Sequence, residues 1–315
     1  MPPFRILGLH HVTATVDEAQ ADLDFCLDVL SLRLVKKTVN FDNHHVYHFY
    51  YGNERGLPGT IWTTFPYHGR GVRGGRRGFG QVTAAAFSVP EAALTAWADR
   101  LAFAGVSSAP LDDQFGEQRL QVTDPSGLTF ELVAARSDSR APWLGGTAGD
   151  DLAIRGLHSV RLTVERPEPT VELMRTLLGF EVLAEESHRI RAGVGDGAPG
   201  RVIDIEYATG APPALNGLGT VHHVAMAIGS PEEQLALREE LVRLGLKVTP
   251  VLDRQYFQSI YFREPGGVLF EVATMEPGLL VDEELETLGR ALRLPPWEEA
   301  FREEIERELS PVHYR

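Results

Sequence analysis

The stretch Gly8-Leu9-His10-His11-Val12 returns in the second half of the chain as Gly156-Leu157-His158-Ser159-Val160, and the architecture follows from that repeat. Each copy opens an alternating strand, Val12–Val16 and Val160–Val164, in which every second side chain shares a face. Each then runs through a stretch of helical spacing into similar words, Leu30-Ser31-Leu32-Arg33-Leu34 and Leu178-Gly179-Phe180-Glu181-Val182. A second unit behaves the same way. Gly78-Phe79-Gly80-Gln81-Val82 returns as Gly217-Leu218-Gly219-Thr220-Val221, leading to Ser88-Val89-Pro90-Glu91 and Ser230-Pro231-Glu232-Glu233. Proline followed by acid before an apolar-periodic stretch predicts a helix N-terminus at both places.

The strand-end words also match, Asp124-Pro125-Ser126-Gly127-Leu128-Thr129-Phe130-Glu131-Leu132 against Glu264-Pro265-Gly266-Gly267-Val268-Leu269-Phe270-Glu271-Val272. Four βαβββ units result, at 5–68, 78–136, 153–210 and 217–276. They group into two pseudo-symmetric halves, 1–140 and 151–280, joined through Ala141–Asp150 and followed by a helical tail, 281–315. Helices among runs of short strands make the fold class α+β, built by duplication.

Composition narrows the function. The 315 residues are 43% hydrophobic, enough for a substantial core, and the net charge of −14 opposes phosphate binding, so no nucleic-acid partner is expected. No apolar run approaches the roughly 18 residues of a membrane span, and Met1-Pro2-Pro3-Phe4-Arg5-Ile6 lacks a signal peptide's basic and apolar regions. A single cysteine, Cys26, suits a reducing compartment and falls on an apolar helix face. A cytoplasmic protein with small-molecule partners is expected, with homo-oligomerisation left open.

The repeat also serves as its own control for metal ligands. Histidine persists in both copies at His10 and His158, whereas His11 becomes Ser159. The retained residue is better explained by packing or hydrogen bonding, so His11 is the ligand and His10 its support. Aligning the second and fourth units sets Thr83 against His222, Ala84 against His223 and Glu131 against Glu271. Only the first and last units supply a full set, His11, His223 and Glu271. Two imidazoles and a carboxylate leave half of an octahedral sphere open for substrate and O2. A fourth ligand would come from Gly59-Thr60-Ile61-Trp62-Thr63, where Thr63 falls opposite Glu271 and is a poor ligand. Thr13, two residues beyond His11, shares its face.

The four-unit pattern resembles the vicinal oxygen chelate superfamily of glyoxalases, bleomycin-resistance proteins and extradiol dioxygenases. Gly8-Leu9-His10-His11-Val12-Thr13, Tyr47-His48-Phe49-Tyr50-Tyr51-Gly52 and Leu294-Pro295-Pro296-Trp297-Glu298 resemble its ring-cleaving members of the hydroquinone 1,2-dioxygenase type. The resemblance implies the same three ligands, Fe(II) with Mn(II) as the alternative, and extradiol-type cleavage of a small aromatic diol with both atoms of O2 incorporated. It matches Arg254 to a group that orients or stabilises anionic oxygen and Tyr261 to one that donates or accepts a proton. His10 and His222 become acid/base or substrate-orienting groups, and His48 faces the pocket beside Thr13. A glyoxalase-like lyase or isomerase, and a non-catalytic quinone or drug binder, are the rival readings.

Three further features lie outside this set. His44-His45-Val46-Tyr47-His48 is expected to be a strand start and not a second metal site, because alternation turns His45 away from His44 and His48. Gly69–Gly78 lacks a Walker-type motif and is expected to be a flexible basic link. The tail from Val281 carries ten acids and five basic residues and either covers a surface or lies solvated.

Overall fold

The computed structural model describes residues 4–314. The first unit contains β1 (Ile6–Val16), α1 (Ala19–Asp24), β2 (Arg33–Asn40), β3 (Asn43–Gly52) and β4 (Ile61–Pro66). The second contains β5 (Gln81–Pro90), α2 (Leu94–Phe103), β6 (Ser108–Gln114), β7 (Glu117–Thr123) and β8 (Thr129–Ala135). The third has β9 (Gly156–Val164), α3 (Glu168–Thr176), β10 (Glu181–Glu186), β11 (Arg189–Gly193) and β12 (Val202–Tyr207). The fourth has β13 (Thr220–Ile228), α4 (Pro231–Arg243), β14 (Leu252–Asp253), β15 (Gln258–Arg263) and β16 (Leu269–Thr274). The tail ends in α5 (Arg302–Glu308). The fold is α+β, with four βαβββ units.

Two eight-stranded sheets result, each with one unit from either half of the chain. The order β14-β15-β16-β13-β1-β4-β3-β2 joins the last unit to the first, and β10-β11-β12-β9-β5-β8-β7-β6 joins the two middle units. β1 and β13 meet antiparallel at the centre, with Thr13 opposite His223 and His11 opposite Ala225.

The repeated Gly-Leu-His word is set by contact between the sheets. The Leu9 N–H donates to Gly200 O at 2.7 Å, and the Leu157 N–H donates to Gly59 O at 2.9 Å. Gly8 and Gly156 both take φ of +144°, and a Cβ on either would lie 2.7–2.8 Å from a facing carbonyl oxygen. Only glycine permits that approach.

Two expectations are corrected. β5 continues through Pro90 and α2 begins at Leu94, because Pro90 O accepts from the Ala93 N–H and closes a turn first. Only the second proline–acid word starts a helix where expected: Ser230 caps α4 by accepting from the Glu233 N–H at 3.2 Å. The Gly69–Gly78 link is also partly paired, with Gly74 and Arg76 bridging to Leu218 and Leu215. Its glycines serve close packing as much as bending: a Cβ on Gly78 would stand 2.1 Å from Pro212 O. Cys26 is buried, and desolvation followed by the nearby Asp22 charge pushes its thiol well up, away from reactivity.

The tail runs along β2, an outer strand of its sheet, where the Arg293 N–H donates to Lys37 O at 2.9 Å. Lys36 on β2 is fully buried and reaches Asp282 at 2.6 Å and Glu283 at 2.5 Å in the tail. Among the described residues no helix is long and apolar enough to cross a membrane.

Candidate metal centre and substrate cavity

His11 on β1, His223 on β13 and Glu271 on β16 converge inside the curl of the first-and-last-unit sheet. Glu271 Oε2 lies 3.2 Å from His11 Nε2 and 2.8 Å from His223 Nε2, and the two imidazole nitrogens are 3.3 Å apart. All three residues are buried. Donors bound about 2.1 Å from one ion at right angles stand about 3 Å from each other, the spacing of this triangle. Glu271 Oε2 has no hydrogen-bond partner. A divalent cation between the two imidazole nitrogens and the buried carboxylate oxygen would satisfy all three, so the residues fit a metal.

Each adjacent histidine orients its neighbour. The His10 and His11 Nδ1 atoms are 2.9 Å apart, and those of His222 and His223 are 2.7 Å apart. One nitrogen of each pair must carry the proton. If His11 and His223 donate from Nδ1, their Nε2 lone pairs are left for a metal. Burial, followed by the adjacent imidazole, lowers His10 and His222 to about 3, so both stay neutral and can accept. In the other sheet His158 Nδ1 lies 3.2 Å from Ser159 Oγ, so the retained histidine supports its neighbour there too.

Burial alone would raise the Glu271 carboxyl, but the His11 and His223 imidazoles hold it well below the usual carboxylate range. Burial lowers His223, opposed by Glu271. Ser259 donates to Glu271 Oε1, turning Oε2 toward the imidazoles. Thr13 Oγ1 lies 2.9 Å from His223 Nε2 and 2.7 Å from Thr63 Oγ1, and Thr63 also meets His48 Nε2 at 3.0 Å. The fourth corner is thus a hydroxyl network.

A cavity of about 380 Å³ opens over the triad, and His11, His48, His222, His223, Arg254 and Tyr261 are among its lining residues. Phe65, Leu252, Phe257 and Leu269 supply apolar wall. His10 does not line it; it sits behind His11, packed edge-on against Phe257 at a centroid distance of 4.9 Å. The Arg254 guanidinium lies 5.3 Å from the Tyr261 ring centre and pairs with Asp42 at 2.9 and 3.2 Å. Arg254 follows β14 and Asp42 follows β2, so this pair ties the two ends of the curled sheet across the cavity. Burial pushes the Tyr261 phenol well up and lowers His48, the latter also disfavoured by the His11 and His223 imidazoles.

Sequence reasoning did not find Ser259, Phe257 or Asp42. Ser259 carried a signal, being two residues from Tyr261 on one strand and so on the same face. Asp42 carried none, because only the curl of the sheet brings it to Arg254.

The equivalent corner of the second sheet holds arginines. Arg119 bonds Glu131 at 2.8 Å and lies 3.4 Å from Asp204, Arg161 also bonds Glu131, and Arg191 bonds Asp204 at 2.7 Å. Guanidinium groups there supply the positive charge.

Such a buried two-histidine, one-carboxylate centre on paired βαβββ units defines the class. The chain belongs to the glyoxalase/bleomycin resistance protein/dioxygenase superfamily, whose family model matches residues 8–132 and 156–272. It is 41% identical to a Bacillus subtilis (strain 168) protein named "Putative ring-cleaving dioxygenase MhqO", over 99% of this chain and 98% of that one. It is 35% identical to the chlorohydroquinone/hydroquinone 1,2-dioxygenase of Sphingobium indicum, over 98% and 97% of the two chains. A crystal structure of a Bacillus subtilis protein superposes with a TM-score of 0.93 at 40% identity, covering 99% of both chains.

Proposed function

We propose that this chain is a metal-dependent dioxygenase that opens the ring of a hydroquinone-like substrate, with His11, His223 and Glu271 holding Fe(II), or Mn(II) in its place. The reading rests on the three donors converging under a cavity while the fourth corner is occupied by Thr63. It draws further support from the hydroquinone-cleaving relative of nearly equal length. A metal held by His11, His223 and Glu271 would supply Lewis acidity toward a phenolate oxygen and redox chemistry toward O2.

The chain's own residues do the rest. His10 and His222 hold the ligand imidazoles in the productive tautomer, and His222 also faces the cavity. Arg254 places a permanent positive charge beside the ring oxygens, where negative charge grows as the ring is attacked. The Tyr261 phenol, kept protonated by burial, is the proton donor at the same wall. His48 lines the cavity, whereas Thr13, expected beside it, lies buried beneath and joins it through the Thr63 hydroxyl, and Phe65, Leu252 and Phe257 exclude water. A ring carbon–carbon bond beside a hydroxyl-bearing carbon breaks, and both oxygens of O2 enter the product. The four electrons come from the substrate, so no outside reductant is needed.

The test is O2 uptake by anaerobically Fe(II)-reconstituted protein given hydroquinone, methylhydroquinone and catechol in turn. The expected result is one O2 per substrate with a ring-opened chromophore, fastest with a para-diol. Catechol turned over fastest moves the substrate class to ordinary extradiol cleavage. Bound metal without uptake on any of the three rejects the reading and makes an oxygen-free glyoxalase-type assay the next step.

A further inference from the structure

His44 and His45 begin β3, beside the turn that carries Asn40, Phe41 and Asp42 into the cavity wall. Strand alternation predicted that their rings diverge. Instead they meet edge to face at a centroid distance of 4.4 Å, because the β2–β3 pairing shifts register between Val39 and Asn40 and the strand starts irregularly. The tail lies against this pair. Glu298 Oε2 is 2.7 Å from His44 Nδ1, and Glu308 Oε2 is 3.0 Å from His45 Nδ1. Glu304, on α5, brings a carboxylate oxygen so that one ligand atom each from His44, His45 and Glu304 lies within 4.8 Å of the others.

The His45–Glu308 contact is too poorly aligned to be a hydrogen bond, and His45 Nδ1 is shut off from solvent without a partner. Two imidazoles and the Glu304 carboxylate thus gather here, flanked by Glu298 and by Glu308, the latter also paired with Arg70 at 3.8 Å. Both rings remain about a quarter to a third exposed, so an ion can reach them from solution.

We propose that His44, His45 and Glu304 form a second divalent-metal site, separate from the centre in the cavity, which staples the tail to the β2–β3 turn. Two imidazole nitrogens with one carboxylate suit Zn(II), Ni(II) or Co(II) and disfavour the oxygen-seeking Mg(II) and Ca(II). Glu298 lies outside the ligand set and holds the His44 ring from behind, as carboxylates commonly do for metal-bound histidine. Trp297 packs edge-on against Phe41 at 5.6 Å, so the stapled segment presses on a residue of the cavity wall.

The experiment is titration of the chelator-stripped full-length protein with Zn(II) and Co(II), followed by calorimetry and by cobalt absorption. The wild type is expected to bind two equivalents. His223→Ala should retain one, and the His44→Gln/His45→Gln double variant should retain the other. Glu304 is exposed, so Glu304→Gln keeps the fold intact and is expected to weaken the second equivalent at least tenfold. Glu298→Gln should weaken it about tenfold, the usual cost of removing a carboxylate behind a ligand histidine. Limited proteolysis should show residues near 298–308 protected by one added equivalent in His223→Ala. A wild type that takes a single equivalent, or a second equivalent unchanged in both the double variant and Glu304→Gln, overturns the proposal.

Discussion

Thr63 stands on β4 where Glu271 stands on β16. Thr63 faces Thr13 across a parallel ladder, and Glu271 faces Ala225, each partner lying two residues beyond a centre histidine. A carboxylate at Thr63 would therefore point at the same three donors and, on the proposed function, fill a position that O2 chemistry needs open. Thr63→Glu is expected to tighten metal binding and lower substrate-dependent O2 uptake at least tenfold. Metal titration beside an oxygen electrode reads both, and undiminished uptake would mean the fourth corner does not set the reaction.

His10 touches His11 and not the cavity. His10→Ala should weaken metal binding by about 10- to 100-fold, as loss of a partner behind a ligand usually does. The KM for substrate, measured at saturating metal, should move little. A large change in KM with intact metal affinity would show that His10 acts on substrate.

Arg254 is expected to contribute to charge stabilisation more than to binding. Arg254→Ala should lower kcat by about 10²- to 10³-fold. Asp42→Asn should cost much less, because the guanidinium keeps its place over Tyr261. Steady-state kinetics separate the two, and equal losses would assign the effect to closure of the sheet.

Asp22 gives a pH signature. Burial raises its carboxyl from 3.8 to about 6, against hydrogen bonds from Thr64, Tyr51 and Cys26. The proton therefore binds the folded state more tightly than the unfolded one. Asp22's contribution to stability is fully present below about pH 4, falls as pH rises toward about 6, and is flat above that. At 1.36 kcal/mol per unit, the span is about 3 kcal/mol. Asp22→Asn should flatten the urea-denaturation profile across this window, and an unchanged slope would contradict the assignment.

Glu131 balances the buried Arg119 and the half-buried Arg161. Removing one partner of a buried pair typically costs about 3–5 kcal/mol, so Glu131→Gln should destabilise by that order. Metal stoichiometry should not change. Chemical denaturation and metal analysis on the same preparation check both statements.

The convergence of His11, His223 and Glu271 and the pairing of first and last units were legible because the chain carries two copies of each unit, and only those two units together keep both histidines and the glutamate. The ladder registers place Thr63 and Glu271 as that alignment implies. Three things were not legible. Closure of the curled sheet brings Asp42 to Arg254 although 212 residues separate them, and no periodicity encodes it. The meeting of His44 and His45 depends on an irregular strand start, where alternation fails. The arginines beside Glu131 were also missed, since only the folded strands show that Arg119 and Arg161 point at one carboxylate.

The middle sheet is a continuous stretch, 81–207, whereas the outer sheet must gather β1–β4 and β13–β16 from opposite ends of the chain. During synthesis His11 emerges early and waits, because neither His223 nor Glu271 yet exists. The strands of the intervening sheet are all present in the chain before β13 is made. A nascent chain halted before Glu271 holds at most two of the three residues of this cluster.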